Sequence, residues 1–537
     1  MRRSFHWLFF LLIPIFSSAQ VVPIRKIVAV AADRTPGPSK TGTWGDQGNG
    51  TYINPVLYAD YSDPDVIRVD EKYYMVCSEF ANMGMPVLES DDMVNWRIIG
   101  QVFSRLNFPE YDHFQRYGRG SWAPALRYHN HRFYIYFCTP DEGLFMSTAA
   151  DPAGPWAPLI QVRAGPKWED PCPFWDEHDG DGQAYLGHSR TGAGPIIIHK
   201  MSPDGTTLLD SGVTVYTGPT AEGTKIFQLD GYYYISIPEG GVSKGWQTVL
   251  RSKTIYGPYE KKVVLEKGTT NVNGPHQGAL VATPGGQWWF YHFQSDGAMG
   301  RVLHLQPVLW QDGWPLIGVD IDHNGIGEPV YVWKKPDVPG EHPITAPQTS
   351  DEFSGPALGL QWESNHNPVP SGWSLSQKPG WLCLNALMAD SFFHARNTFT
   401  QKIMGTTGTI TVKLDPAAMA DGQQAGLCAM SSIYALIGVR KKQGHLWLFF
   451  DDGSKGYSEK EIRNGIVYLK MQLRIKEGKN ECGYSADGKT WQTFGSPFDT
   501  KFGFWKGTRV GLFSFNTLRD SGIAAFDWFH YDYDGPK

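Results

Sequence analysis

The stretch LDGYYYISI, residues 229–237, joins a tight polar turn to an aromatic-rich strand. Four other segments repeat this pattern: VDEKYYMV (69–76), HNHRFYIYF (129–137), GDGQAYLGH (180–188) and GGQWWFYHF (285–293). Their equivalent positions, separated by 60, 51, 49 and 55 residues, are Tyr74, Tyr134, Tyr185, Tyr234 and Trp289. A period of about fifty residues that holds several strands is typical of a β-propeller. The sequence predicts an all-β fold, a five-bladed β-propeller over residues 51–335.

A second feature recurs in step with the first. VNW and GPW end about 22 residues after Tyr74 and Tyr134, and GPY ends about 25 residues after Tyr234. A β-sandwich with chance similarity between strands is the alternative interpretation, and two features that repeat together favour the propeller.

A carboxylate, aromatic or imidazole side chain precedes the equivalent position of each repeat by 11 to 15 residues. These residues are Asp63, Trp122, Asp170, Glu222 and His276. The first strand of each propeller blade runs beside the central axis, so these positions should form a ring around one mouth of the channel. Three carboxylates that converge on an axis repel one another, which is costly unless they perform chemistry or bind a cation.

Composition excludes some classes of protein. The net charge of −6 and the pI of about 6.2 give no basic surface for nucleic acid. The chain begins with Arg2 and Arg3, an apolar run over 7–16 and the small residues 17–19, which predicts a signal peptide over 1–19. That run is too short to insert in a membrane as a span. We therefore expect an exported, soluble, periplasmic or extracellular protein. The six cysteines lack C-x-x-C spacing and are expected to be buried thiols.

The ends of the predicted propeller are marked by changes in composition. Residues 20–50 carry no chemical motif and are predicted to be a flexible leader. Residues 336–350 are rich in proline and are predicted to be a linker. Residues 351–537 show regular short strands with polar turns, which predicts a β-sandwich.

Six ordered motifs carry a resemblance to a known family. They are NPVLYADYSDPDVIRV, SWAPALRYHN, WEDPCPFWDEHDGDGQAYLG, AEGTKIFQLDGYYYI, NGPHQGALV and GRVLHLQPVLWQDGWP, and they span most of residues 52–320. With these motifs the chain resembles glycoside hydrolase family 43, five-bladed propeller enzymes that cleave plant hemicellulose with inversion at the anomeric carbon. The 351–537 region resembles the concanavalin-like C-terminal domain of the family's xylosidases and arabinofuranosidases, which can send a loop over the active site.

The resemblance implies roles for the three acids. Asp63 would be the general base, Glu222 the general acid, and Asp170 the residue that modulates the acidity of the general acid and orients the sugar. The alternative interpretation makes Asp63 and Asp170 turn formers in Asp-Pro pairs and Glu222 a solvated loop acid. Inversion requires Glu222 to begin protonated and Asp63 to begin ionised.

Further site residues follow from the resemblance. Arg301 would keep the aspartates ionised. Trp122 and Phe80 would form walls of the subsite for the terminal sugar, and Trp246 is a further candidate for a subsite wall. His276 matches a histidine that faces a channel metal, often calcium, in parts of the family. Its alternative is a hydrogen-bonded channel histidine without metal. Asp351 and Asp527 could share a structural calcium. No cofactor is expected for the chemistry itself.

The predicted function is exo-acting, inverting release of terminal α-L-arabinofuranose from hemicellulose such as arabinoxylan or xyloglucan. β-D-xylosidase or dual pentosidase activity is the alternative. A non-catalytic sugar-binding propeller and an endo-acting arabinanase are the competing hypotheses from other classes.

Overall fold

Short β-branched and aromatic runs form strands along nearly the whole chain. The computed structural model describes residues 42–177, 182–454, 456–463 and 465–536, so the predicted signal peptide lies outside the described residues. Within those ranges the helices are one α-helical turn, Glu110–His113, and four 3₁₀ turns: Gly297–Met299, Pro370–Gly372, Phe392–His394 and Ile475–Glu477. The all-β prediction is confirmed. No helix in the described ranges has the length and apolar character needed to cross a bilayer.

The first half contains five antiparallel sheets, and in each of them four strands are hydrogen-bonded in chain order. Sheet 1 has strands Asp65–Val69, Lys72–Val76, Pro86–Ser90 and Arg97–Gln101. Sheet 2 has Trp122–His129, Arg132–Thr139, Gly143–Ala149 and Ile160–Ala164. Sheet 3 has Glu169–Trp175, Ala184–Ser189, Ile196–Met201 and Val213–Tyr216. Sheet 4 has Lys225–Leu229, Tyr232–Glu239, Trp246–Ser252 and Glu260–Leu265. Sheet 5 has His276–Ala282, Trp288–Ser295, Arg301–Gln311 and Trp314–Ile317.

The five sheets are arranged as a closed ring. Neighbouring sheets contact each other in chain order, and the first strand of sheet 5 contacts the first strand of sheet 1. The early strand Leu57–Asp60 pairs with Arg301–Gln311 and so joins the start of the chain to sheet 5. Each aromatic repeat forms the second strand of its sheet. The residues predicted to line the mouth therefore lie at or just before the start of each first strand.

A small sheet joins the two ends of this first half. Its strands are Gly45–Asp46, Thr51–Ile53 and Val332–Lys334. Residues 20–50 were expected to be a flexible leader, but the structure differs from Trp44 onward. The Trp44 side chain is 1% exposed, and its ring stacks on that of Tyr533 of the second half with the centroids 6.1 Å apart. Aromatic burial of this size fixes the segment against the core.

The second half forms two packed sheets. The first contains, in spatial order, Tyr457–Ile462, His445–Asp451, Tyr434–Lys442, Gln423–Met430, Arg509–Asn516, Thr398–Lys402, Glu363–Asn365 and Asn82–Met83, with Leu387–Met388 parallel to Arg509–Asn516. The second contains Trp373–Ser374, Leu382–Asn385, Ile523–Tyr533, Thr407–Asp415, Val467–Arg474, Glu481–Ser485 and Gln492–Thr493. Alternating apolar residues of both sheets form the core between them.

One strand crosses between the halves. Asn82–Met83 belongs to the chain segment of sheet 1 but pairs with Glu363–Asn365 of the sandwich. The connection between the halves also lies on the first half, where Thr345 N donates to Asn95 Oδ1 at 2.9 Å. The two halves therefore share backbone pairing.

Candidate active site

Asp63 is held at the mouth of the ring by three donors. Its carboxylate accepts hydrogen bonds from Ser78 Oγ at 2.6 Å, from Ser62 Oγ at 3.1 Å and from Arg301 Nη1 at 2.8 Å. The backbone is left-handed at this residue, with φ of 53°, which is a conformation that aspartate tolerates better than most residues. The side chain is 8% exposed. Arg301 therefore pairs directly with the predicted base.

Asp170 is the most enclosed of the three acids. Its carboxylate accepts from Gly223 N at 2.5 Å, Gln277 Nε2 at 3.1 Å and Ser189 Oγ at 3.4 Å. Burial, and then the negative charge of Glu222, raise its pKa to about 6. Sheets 3 and 5 and the loop before sheet 4 thus all contribute groups to this one side chain.

Glu222 stands in a loop just before the first strand of sheet 4. Its Oε1 lies 2.9 Å from His276 Nε2, the first residue of sheet 5. Its side chain is 17% exposed, more than that of Asp63, so Glu222 faces the solvent side of the mouth. Gly223, which donates to Asp170, ties Glu222 to that residue through the backbone. The charges of Glu222 and Asp63 both act on Asp170 and raise its pKa, so the three carboxyl groups predicted from the spacing lie close together.

An aromatic wall stands beside these acids. The ring centroids of Phe80 and Trp122 are 6.3 Å apart, and those of Trp122 and Trp505 are also 6.3 Å apart, both edge to face. The Arg301 guanidinium carbon lies 6.0 Å from the Trp505 ring. Trp505 comes from the sandwich and is 52% exposed. Sequence patterns do not predict the place of Trp505, because no local signal connects positions nearly four hundred residues apart.

The loop that carries Trp505 is anchored by a buried charge cluster. The neighbouring residue, Lys506, is buried and donates to Asn82 Oδ1 on the propeller side. Glu79, one residue before Phe80, is paired with Lys402 and with Arg509, the latter at 3.3 Å. Burial lowers the pKa of Lys506 to about 7 and raises that of Glu79 to about 7. These contacts fix the Trp505 loop over the first half.

A fourth acid, Glu169, lies beside Asp170. Its Oε2 accepts from Gly192 N at 2.9 Å and Ala193 N at 3.1 Å, and burial followed by the Asp170 charge raises its pKa to about 8. Glu169 is not among the residues predicted from the sequence, although the EDP motif contains it. The motif could have drawn attention to a second acid at this position.

The remaining predicted residues contact protein groups other than the three acids. Trp246 begins the third strand of sheet 4 and pairs with Glu239. Asp527 pairs with Lys413 Nζ at 2.6 Å, while Asp351 accepts from Trp362 Nε1 at 2.9 Å. The two aspartates therefore have separate protein partners, which does not support a calcium ion shared between them.

The predicted metal at His276 has no ligand set among the described residues. One ring nitrogen contacts Glu222, and the other is buried without a hydrogen-bond partner. The described ranges hold no group of three histidine, cysteine, aspartate or glutamate side chains placed to bind a metal ion. A single imidazole nitrogen does not make a calcium site, since calcium requires several oxygen ligands.

Two family models match the two halves of the chain that the fold separates. The family described as "Glycosyl hydrolases family 43" matches residues 52–315, and "Beta xylosidase C-terminal Concanavalin A-like domain" matches residues 350–532. A "Putative beta-xylosidase" of Xylanibacter ruminicola is 53% identical over 88% of each chain. A "Beta-xylosidase" of Formosa agariphila is 42% identical over 93% of each chain.

Two more distant proteins extend the comparison. A "Non-reducing end alpha-L-arabinofuranosidase" of Bacteroides ovatus is 30% identical over 70% of this chain and 73% of its own. The crystal structure of a family 43 protein of Bacillus licheniformis is 28% identical with a TM-score of 0.78, covering 90% of this chain and 99% of that one. The predicted propeller followed by a concanavalin-like sandwich is confirmed, while the number of blades stays a prediction that the five sheets support. With this fold, these motifs and these relatives, the chain belongs to glycoside hydrolase family 43 and is a glycoside hydrolase.

Proposed function

We propose that this protein is an exo-acting β-D-xylosidase that removes terminal xylose from xylan-type chains with inversion. The observation that carries the proposal is the convergence of three carboxylates, Asp63, Asp170 and Glu222, beside an aromatic wall. The choice of xylose is supported by the two relatives at 53% and 42% identity, both named as xylosidases. These relatives favour xylose over the arabinofuranose that the sequence analysis placed first.

The base in this proposal is Asp63. The Arg301 guanidinium, 2.8 Å from its carboxylate, pairs with the group that would take a proton from water. Two hydroxyl donors, Ser62 and Ser78, orient the carboxylate. An inverting enzyme needs about 6.5–9.5 Å between its two carboxyl groups so that the water fits between base and sugar.

The acid in this proposal is Glu222, which protonates the leaving oxygen. Its Oε1 lies 2.9 Å from His276 Nε2, and its side chain is more exposed than that of Asp63. Asp170, tied to the Glu222 segment by the Gly223 N–H, places a second carboxyl group beside the acid.

The exo mode is supported by the second domain. Trp505 extends from the sandwich to Trp122, so the mouth is walled on that side by both halves of the protein. A walled pocket admits a chain end, whereas an endo-acting arabinanase needs an open groove. A half-exposed indole at this place is also suited to packing against a sugar ring.

α-L-Arabinofuranosidase activity is the second candidate. It is favoured by the relative from Bacteroides ovatus, whose name states this activity. A dual pentosidase would combine both activities in one pocket.

The test is hydrolysis of 4-nitrophenyl β-D-xyloside and 4-nitrophenyl α-L-arabinofuranoside side by side, with Asp63→Asn as the blank. We expect a higher kcat/KM on the xyloside and release of α-xylose as the first-formed anomer by proton NMR. A higher kcat/KM on the arabinofuranoside would replace the first candidate by the second. Release of sugar from neither substrate would favour the non-catalytic binding propeller, and mid-chain cleavage of linear arabinan would favour the endo-acting enzyme.

A further inference from the structure

The tip of the loop that carries Trp505 has a strained backbone. Phe504 and Trp505 both adopt the left-handed conformation, with φ of 58° and 68°. Bulky aromatic residues rarely adopt it, and two of them in succession persist only where the surrounding structure holds them. Within the loop, the N–H groups of Gly503 and Lys506 each donate to the other's carbonyl, at 2.9 and 3.2 Å. The rest of the support has to come from the propeller.

A buried carboxylate of the propeller holds the chain just beyond this tip. Gly507 N donates to Asp60 Oδ2 at 2.8 Å, and the next residue, Thr508, donates its N–H to Ala298 O at 2.8 Å. Asp60 is 6% exposed. A charged acceptor makes a stronger hydrogen bond to a backbone N–H than a neutral one does. The sandwich loop is therefore fixed to the propeller two residues after Trp505.

The other oxygen of the same carboxylate holds Arg301. Asp60 Oδ1 accepts from Arg301 N at 2.8 Å. Arg301 is the first residue of the third strand of sheet 5, and its guanidinium donates to Asp63 at 2.8 Å. The guanidinium carbon also lies 6.0 Å from the Trp505 ring. One carboxylate thus joins the loop of the sandwich to the residue that pairs with the candidate base.

Two glycines permit the close approach around this carboxylate. A Cβ at Gly300, whose φ is 85°, would lie 2.4 Å from the Asp60 carboxyl carbon. A Cβ at Gly507 would lie 2.6 Å from Gly300 N. Both distances are too short for a real side chain, so the backbones of the two halves meet directly beside Asp60.

We propose that Asp60 is a positioning residue of the active site, whose carboxylate holds the Trp505 loop and Arg301 in a fixed relation to each other. Through Gly507 it places the indole that walls the subsite. Through Arg301 it places the guanidinium that pairs with Asp63. The inference rests on the proposed function, since that function assigns Asp63 as the base and Trp505 to the subsite.

The alternative is an aspartate that only stabilises the fold, and the propeller offers a matched example. Asp92 is 0% exposed, and its carboxylate also accepts from two backbone N–H groups, those of Val94 at 3.0 Å and Asn95 at 2.8 Å. It pairs with Lys335 at 2.7 Å. Its partners do not belong to the candidate site, so Asp92→Ala is the control for Asp60→Ala.

The experiment is a double-mutant cycle of Asp60→Ala with Trp505→Ala, measured on the nitrophenyl pentoside that the wild type hydrolyses. We expect Asp60→Ala to raise KM by about tenfold and to lower kcat by about tenfold, because the subsite wall and the partner of the base both shift. In the double variant KM should be no higher than in Trp505→Ala, because the wall that Asp60 places is already absent. The loss of kcat should persist, because Arg301 remains displaced.

The control separates positioning from general loss of stability. Asp92→Ala should lower the melting temperature, because Lys335 loses its carboxylate, and should leave kcat and KM unchanged at temperatures where the variant is folded. A rise in KM from Asp60→Ala that is equally large with and without Trp505 would overturn the inference.

Gly507→Ala tests the same contact and does not depend on the folding of Asp60→Ala. It keeps the carboxylate, but its Cβ forces the loop away from Gly300. We expect it to raise KM as Asp60→Ala does, with a smaller loss of kcat, because the Arg301 contact stays in place. A wild-type KM in this variant would also overturn the inference.

Hydrogen exchange followed by mass spectrometry gives a measurement that needs no substrate. In Asp60→Ala, the peptides that contain Gly507 and Arg301 should exchange faster than in the wild type, because both N–H groups lose their acceptor. In Asp92→Ala the same peptides should exchange as in the wild type. Unchanged exchange in a wild type that turns over would overturn this inference alone. Absence of wild-type turnover would overturn the proposed function together with it.

Discussion

The indole ring of Trp505, in the sandwich, lies edge to face with that of Trp122, in the propeller, at a centroid distance of 6.3 Å. The contact places a side chain of the second domain at the mouth that holds the candidate catalytic acids. The second domain is therefore part of the candidate site, and the Trp505 loop is held there by the buried Lys506 contact to Asn82.

The first prediction concerns this indole. We expect Trp505→Ala to lower kcat/KM on 4-nitrophenyl β-D-xyloside by about tenfold to about a hundredfold, chiefly through KM, because loss of an aromatic contact costs about 1–3 kcal/mol. The side chain is half exposed, so the melting temperature should change little. Steady-state kinetics and thermal unfolding are the measurements.

Tyr457→Ala is the matched control for Trp505→Ala. Tyr457 is an aromatic residue of the same domain with a similar exposure, 51%, in an edge strand of the sandwich. Its loss should leave both kinetic constants unchanged. Equal effects of the two substitutions would contradict a place for Trp505 in the subsite.

The second prediction separates the acid from the base. In Glu222→Gln, hydrolysis of xylobiose should fall by about 10³-fold to 10⁴-fold, since its leaving oxygen requires protonation. Hydrolysis of 4-nitrophenyl β-D-xyloside should fall by only about tenfold to about a hundredfold, since nitrophenolate leaves without full protonation. Asp63→Asn should reduce both substrates to a similar extent, because both need the activated water. Equal losses for Glu222→Gln on the two substrates would argue against its role as acid.

The sequence predicted the repeat, the all-β fold and the meeting of three acids because all depend on local patterns. Each aromatic repeat forms the second strand of its sheet, and one predicted site residue lies at or just before the start of each first strand. Trp505 could not be predicted, since its place depends on the pairing of Asn82–Met83 with Glu363–Asn365 and on no pattern near residue 505. The structure differs from the predicted flexible leader at Trp44, because this side chain packs against Tyr533, which lies near the opposite end of the chain.

The third prediction is that Asp170→Asn stabilises the protein at neutral pH. Burial raises the pKa of Asp170 to about 6 from 3.8, so the folded state binds this proton more tightly than the unfolded state. Stability contributed by the group is therefore full below about pH 4 and falls as pH rises toward about 6. Removing the charge should recover about 1–3 kcal/mol above that range.

Thermal unfolding at about pH 7.5 and about pH 4 measures this effect. The melting temperature of Asp170→Asn should exceed that of the wild type at the higher pH and approach it at the lower. Asp230→Asn is the matched control, because Asp230 has a similar left-handed backbone, φ of 50°, in an exposed turn. A stabilisation that persists unchanged at the lower pH would show that charge is not its cause.

The fourth prediction concerns the charge cluster between the domains. Lys402 pairs with Glu79 of the propeller and lies 3.9 Å from Glu363 of the sandwich, and all three side chains are buried. We expect Lys402→Met to destabilise the protein by about 3–5 kcal/mol, because two carboxylates lose a cation that water cannot replace.

Lys413→Met is the matched control. It removes a lysine from a partly exposed pair with Asp527 and should cost at most about 1 kcal/mol. Urea unfolding followed by tryptophan fluorescence measures both. Similar costs for the two substitutions would mean that the buried cluster does not hold the domains together, and the placement of Trp505 would then have to depend on the backbone pairing of Asn82–Met83 and on the contacts of Asp60.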